Sequence, residues 1–432
     1  MTAPRTAGEE WKAHWPLVMA TMVGMSFGGV LSLTLGVFME PIEQAFGWSR
    51  AQIAFGLTVS ALIAIPLGPV GGFLIDRYGA RAVALPCKTL SAVALAAFSL
   101  LTGEYWQWIL VWVIYALTTG LTRQTVWSRA ISSTFEKSRG LALAAMLTGT
   151  SLTTAFAPAI ANALINAFEW RGAYLALALG WGGMTVLLLV LFFFERAVPK
   201  PASASARTPP VPLPGRPFGE AMRSRQVISI GLAIALQAAI GGAFLVHVVP
   251  LLGWAGVPRS EAAWLAGLVG FVSFASKFVC GWLADRFSSG LIPFVAFCLP
   301  GIGYGLVEFG RDHDLLIALA VLCVGLGSGG SIHMTNYLLS RHVGLASFGK
   351  VFGFIASGMS VGSAIGPVLA GHIFDVTGSY SLLLLAGMPP ARAGGVVVAF
   401  PGPFPGFSRP GSALTGGPDG PRPAMTALSR GT

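Results

Sequence analysis

Eleven runs of roughly 20 apolar residues, each long enough to cross a bilayer core about 30 Å thick, constrain this chain more than any other feature. They lie at 16–39, 52–75, 82–102, 107–131, 140–165, 173–194, 227–252, 262–284, 291–310, 315–339 and 349–374. The remaining sequence adds little that could soften that pattern: 54% of the residues are hydrophobic and 10% charged, against about 25% charged in a soluble domain. Glycine, at 56 of 432 residues, lets neighbouring helices approach closely in lipid, so the spans are expected to pack as one bundle. Proline inside several spans is tolerable where adjacent helices or a cavity satisfy the freed backbone groups. The expected class is an all-α, multi-pass membrane protein.

The net charge of +10 has a distribution that explains it. With the N-terminus placed inside, the inner loops and N-terminal tail hold 17 of the 27 Lys and Arg, and the outer loops hold four: Arg50, Arg171, Arg259 and Arg311. Nine of the 17 acids fall outside. This asymmetry is the positive-inside rule; it reports orientation and gives no reason to expect a nucleic-acid partner. The lipid bilayer is the expected surrounding, with residues 1–15 as a cytoplasmic tail. The first span is too long for a signal-peptide core and should be retained. Cys87, Cys280, Cys298 and Cys323 show neither metal spacing nor a disulfide framework.

Sliding the sequence on itself by 209 residues superposes its chemically special positions. Pro41 meets Pro250, Gly47 meets Gly256 and Arg50 meets Arg259. Gly72, Asp76 and Arg77 meet Gly281, Asp285 and Arg286, and Pro158 meets Pro367. Six spans per copy is an even number, so both copies enter the membrane in the same sense, the parallel repeat of two-half transporters. The expected organisation is a six-helix half at 16–194, a flexible cytoplasmic linker at 195–226 rich in Pro, Ala, Ser and Arg, and a second half at 227–387.

The stretch Gly72-Phe-Leu-Ile-Asp76-Arg77-Tyr-Gly79-Ala-Arg81 resembles the signature loop of the major facilitator superfamily, and Gly281-Trp-Leu-Ala-Asp285-Arg286 resembles its degenerate second-half counterpart. The resemblance implies a major-facilitator-type bundle whose cytoplasmic gate is latched by this loop, with Asp76 as the key acid; Arg129, at the inner end of the fourth span, is the expected partner. Within that superfamily, Phe46-Gly-Trp-Ser-Arg50, Trp170-Arg171-Gly-Ala-Tyr174, His247-Val-Val-Pro250 and Gly366-Pro367…Gly371…Phe374-Asp375…Gly378-Ser379-Tyr380 resemble the monocarboxylate porter and oxalate/formate antiporter group. Together these phrases extend the resemblance over roughly residues 16–385.

Charges at membrane depth by default point to function. No Asp or Glu falls in the middle of a span, whereas Arg123 and Lys277 do, each roughly 24 Å below its outer entry at 1.5 Å per residue. Cations without buried acids suit an anionic substrate. Lys277 stands four residues before Gly281, where the resembled carboxylate transporters carry a basic residue that contacts substrate, commonly Arg; Lys is a point charge without a fork. The competing reading is that Lys277 snorkels to the interface and that Arg123 pairs with a helix end. One turn before Lys277, the position that carries an Asp in the proton-coupled relatives is Ser273, which favours exchange with a counter-anion over a coupling proton. His247, His333 and Asn336 are further candidates for the path, with packing or helix-to-helix hydrogen bonding as the alternative. Trp106, Trp108 and Trp112 read as interfacial belt residues.

No phosphate loop, catalytic triad or metal spacing is found, so neither an enzyme nor a cofactor is expected. The expected function is secondary active transport of small organic anions such as oxalate, formate, lactate or pyruvate, by alternating access, in the cell (inner or plasma) membrane and as a monomer. The alternatives are a drug or metabolite exporter of the same superfamily and a non-transporting relic or sensor. The repeat places a twelfth span near residue 382, but Pro389, Pro390 and Arg392 interrupt it. The expectation is therefore a truncated or altered last helix, as after a reading-frame change, and a disordered Pro/Gly/Arg-rich tail at 388–432.

Overall fold

The computed structural model describes residues 6–194, 215–286, 291–344 and 347–399. Among them the regular structure is helical, apart from an isolated bridge between Gly215 and Gly344. The first membrane crossing is two helices, α1 (Ala7–Phe27) and α2 (Val30–Phe46), separated by Gly28–Gly29. Thr6 and Glu9 form a reciprocal capping box, so the expected N-terminal tail is helical from residue 7. Ser49 and Gln52 cap α3 (Arg50–Tyr78) in the same way, each pair satisfying two otherwise unpaired N–H groups. Then follow α4 (Ala80–Ala97), α5 (Tyr105–Leu121), α6 (Gln124–Thr134), α7 (Arg139–Leu177) and α8 (Gly183–Phe192). α7 breaks at Glu169, whose φ of 58° and ψ of 175° separate the expected fifth and sixth spans.

The second half comprises α9 (Phe218–Arg223), α10 (Arg225–Trp254), α11 (Arg259–Arg286), α12 (Leu291–Phe309), α13 (Asp314–Val343), α14 (Phe348–Thr377) and α15 (Ser381–Ala399). Helix starts repeat at the sequence offset: Arg50 and Arg259, Tyr105 and Asp314, and Arg139 and Phe348 are each 209 residues apart. Two breaks do not repeat. α10 runs through the position equivalent to Gly28–Gly29, and α13 through that equivalent to Thr122–Arg123.

Nine helical stretches among the described residues are long and apolar enough to cross a membrane. One of them, Arg139–Phe192, takes in the expected fifth and sixth spans, while the expected fourth is divided between α5 and α6. Two boundaries need correction. The expected linker at 195–226 is structured from Gly215, where Arg216 N donates to Val343 O at 2.9 Å, and continues into α9; residues 195–214 lie outside the described residues. The last helix is also longer than the sequence implied. α15 continues through Pro389 and Pro390 to Ala399, and residues 400–432 of the expected disordered tail lie outside the described residues. Packing offsets the proline penalty: Gly301, Gly305 and Gly395 leave room for α12 and α15 to meet, with Met388 and Ala391 seated against the first two and Cys298 against the third.

The apolar core is distributed unevenly between the two ends of the bundle. One continuous cluster unites both halves at the end bearing Asp375, from Phe38, Trp108 and Tyr174 to Phe244, Val321 and Tyr380. Toward the end bearing Asp76 each half keeps its own cluster, around Trp127 and Phe135 in the first and around Phe297 and Leu339 in the second. Trp108 and Trp112 belong to the shared core and are fully buried, so of the three expected belt residues only Trp106, at 62% exposure, faces outward.

Candidate functional site

Lys277 lies within α11, which packs against α7 of the other half. Its Nζ donates to Ser151 Oγ at 3.3 Å, so the half-buried ammonium bridges the two halves. Arg123 is placed differently from the expectation. α5 ends at Leu121 and Arg123 caps the N-terminus of α6 with extended backbone (φ −73°, ψ −176°) and an exposed side chain. A polar Thr-Thr-Gly-Leu-Thr-Arg-Gln run supplies few reasons for a helix to continue there. The side chains of His333 and Asn336 lie outside the described residues.

A cation that sequence reasoning counted with the inner loops is Lys88, which is wholly buried in α4. Its Nζ sits 5.8 Å from the Phe27 ring centroid and 5.7 Å from that of Trp127, and 3.5 Å from where a Cβ on Gly28 would stand. Among the described residues it makes no hydrogen bond or ion pair. The available signal was its position, six residues inside the run 82–102.

At the Asp375 end a chain of polar groups ties the halves. Asp375 Oδ1 and Oδ2 accept the main-chain N–H groups of Arg50 (2.9 Å) and Ala51 (3.0 Å), the first turn of α3. Gly371 allows this approach, since a Cβ there would lie 2.6 Å from Ala51 N. Arg50 Nη1 donates to Tyr380 Oη at 2.9 Å, Nε pairs with Glu43 at 3.2 Å, and the guanidinium lies 3.7 Å over the Phe374 ring. His247 completes the chain. It is fully buried, with Nε2 2.8 Å from Pro367 O and Nδ1 3.0 Å from Tyr380 Oη. A carbonyl can only accept, so Nε2 donates to it and, in the neutral ring, Nδ1 accepts from Tyr380. Burial pushes the Tyr380 phenol up to about 12 against the pull of the Arg50 charge, which keeps the proton this chain needs. Thr58 to Ala364 O (2.6 Å) and Asn162 to Ser260 (3.4 Å) add cross-half bonds.

The Asp76 end carries the signature loop. Asp76 and Arg129 form the expected pair, both side chains partly or largely solvated. Gly79, at φ 87°, makes the turn between α3 and α4 that a side chain would strain. Arg81 donates to Phe193 O (2.8 Å) and Val190 O (2.9 Å), placing a cation on the last carbonyls of α8, where the helix dipole favours it. Arg77 lies 5.5 Å over Tyr78. In the second copy Gly281 lies within α11 and Arg286 lies 5.6 Å over Trp282, while the side chain of Asp285 lies outside the described residues. Cross-half bonds gather at the Asp375 end, while toward the Asp76 end each half keeps its own apolar cluster. The bundle is thus sealed at the Asp375 end and looser at the Asp76 end, with one bridging ammonium between its halves. That arrangement can hold an anion between the halves and release it on one side.

A family model described as Major Facilitator Superfamily matches residues 17–307 and 255–415. Monocarboxylate transporter 11 of Homo sapiens is 26% identical over 405 residues, covering 88% of this chain and 82% of the relative. Monocarboxylate transporter 13 of Bos taurus is 25% identical over 397 residues, covering 90% and 89%. Among solved structures, the nucleoside transporter NupG is similar with a TM-score of 0.72 at 13% identity, over 89% of this chain and 98% of that one, a likeness of fold.

Proposed function

This chain belongs to the Major Facilitator Superfamily and is a multi-pass membrane transporter, and from that premise we propose that it carries small organic anions, monocarboxylates or short dicarboxylates, by alternating access. The observation that carries the reading is Lys277, a half-buried ammonium on the seam between the halves that reaches Ser151 across it. Relatives named for monocarboxylates support the substrate class. Oxalate, formate, lactate and pyruvate are the substrates to try, with Lys277 as the carboxylate's partner and Arg123 able to reach the path only by way of the α5–α6 break. His247 belongs to the tie at the Asp375 end.

The orientation we assign puts the Asp76 end in the cytoplasm, by the distribution of basic residues, so the sealed end is the outer one and the conformation is open inward. The membrane is the cell membrane. In the cycle, the Asp76–Arg129 pair strengthens the inner closure while the Asp375 tie lets go, and the halves rock about the bound anion. A counter-anion provides the coupling, since the position one turn before the seam lysine is Ser273 and carries no acid for a proton.

The test is uptake of labelled oxalate, formate, lactate and pyruvate into proteoliposomes. Wild-type protein is expected to carry at least one of them, and Lys277→Gln to reduce that uptake at least tenfold (about 1.4 kcal/mol) while still inserting. Unchanged uptake in Lys277→Gln would remove the residue from the site. Strong stimulation by external acid would overturn the exchange reading.

A further inference from the structure

Arg50 and Arg259 occupy equivalent positions of the two copies, and both line one cavity of about 410 Å³ at the Asp375 end, together with Glu40, Pro250, Trp254 and Phe374. Their circumstances differ. Arg50 is held by Glu43, Tyr380 and the Phe374 face, and its main-chain N–H is capped by Asp375. Moving each of these polar partners by 209 residues gives Leu252 for Glu43, Asn166 for Asp375 and Arg171 for Tyr380. Every group that neutralises or bonds Arg50 is lost in the other copy. Arg259 accordingly has Nε and Nη2 buried without a hydrogen-bond partner, and among the described residues it makes no ion pair. Glu40 acts on it only at longer range.

Leaving the donors of a charged group buried and unpaired is costly, so their presence here calls for a partner. Nε and Nη2 form the side edge of the guanidinium, which takes a carboxylate through two parallel bonds. Glu43 already pairs with Arg50, which leaves Arg259 with only the longer-range charge of Glu40, and Val37, Val249 and Pro250 wall the cavity with apolar surface suited to a short carbon chain. We propose that this cavity is a second anion site, an outer vestibule in which Arg259 binds the carboxylate of a small organic acid before the tie opens. The choice of a carboxylate rests on the transport reading above. Arg259 turns its free edge into the cavity it already lines, and the bound carboxylate competes with Glu43 and Tyr380 for Arg50. Substrate arriving from outside thereby loosens the contact that keeps the outer end closed.

The experiment uses the full chain in detergent, with oxalate as probe and chloride as the ionic control, read as thermal stabilisation. In Lys277→Gln, which removes the seam cation, oxalate is expected still to raise the melting temperature. Adding Arg259→Gln is expected to abolish that rise. Arg259→Lys, which keeps the charge and loses the forked edge, is expected to raise the oxalate concentration needed by about tenfold, and it decides the matter should the glutamine variant not fold. Loss of the rise in Lys277→Gln alone, its survival when Arg259→Gln is added, or an unshifted Arg259→Lys overturns the vestibule. Should wild-type proteoliposomes carry no carboxylate while the Arg259-dependent rise persists, the transport reading fails and the site stands.

Discussion

Asp375, near the end of α14, accepts the main-chain N–H groups of Arg50 and Ala51 at 2.9 and 3.0 Å and so caps a helix that belongs to the other half of the molecule. A capping contact ordinarily joins neighbours in sequence; this one spans 325 residues. It adds one carboxylate to the contacts that hold the Asp375 end closed, because parting the halves exposes the first turn of α3 without this acceptor.

Removing that acceptor is expected to favour the outward-open arrangement. Hydrogen bonds to a charged group contribute about 1.5–3 kcal/mol each, so Asp375→Ala is expected to shift the closed-to-open ratio at least about tenfold. A cysteine placed at Val249, on the cavity wall, reports this through its labelling rate with an impermeant maleimide. Equal rates in the two backgrounds would mean that the cap does not hold the gate.

The Asp76–Arg129 pair is solvated in this conformation, and exposed pairs contribute about 0–1 kcal/mol. Asp76→Asn is therefore expected to leave the melting temperature within a few degrees of wild type while slowing uptake several-fold. A large thermal loss with normal uptake per folded molecule would make the pair a structural element and not a latch.

Lys88 predicts an unusual gain. A buried ammonium without an acid carries a desolvation cost of several kcal/mol, only partly offset by two ring contacts worth about 0.5–2 kcal/mol each. Lys88→Met keeps the volume and is expected to hold or raise the melting temperature. A fall of several degrees would reveal a stronger partner for Nζ than the rings of Phe27 and Trp127.

The end of α15 can be tested by truncation. Stopping after Gly387 removes Met388, Ala391 and Gly395, which fill the face of α12 around Gly301, Gly305 and Cys298. The shortened chain is expected to lose its monodisperse peak in size-exclusion chromatography and most of its folded yield. A stable protein ending at Gly387 would show that the second half closes without this packing.

Much of the frame is legible in the amino-acid sequence. A run of about 20 apolar residues has few alternatives to a membrane helix, and the 209-residue offset predicts not only that helices recur but where they start, as Arg50 and Arg259 or Arg139 and Phe348 demonstrate. The Asp76–Arg129 pair is also within reach, because the resemblance of the loop singles out Asp76 and Arg129 stands at the inner end of the fourth span. Sequence position misleads where a residue's surroundings come from other helices. Trp108 and Trp112 look like belt residues and lie in the shared core; Lys88 looks like an inner-loop charge and is wholly buried; Arg123 looks like a mid-span cation and stands exposed at a helix break.

The sequence by itself determined the solvent, the helices and the two-copy plan, since these follow from hydrophobicity and local backbone satisfaction. Only the tertiary structure decided that Pro389 and Pro390 sit within a helix, because the compensating contacts come from α12. Only the tertiary structure, too, separated two equivalent arginines. Arg50 meets Tyr380 and the Phe374 face across the seam, Arg259 meets no such partners, and that difference arises from which groups the folded chain brings near each one.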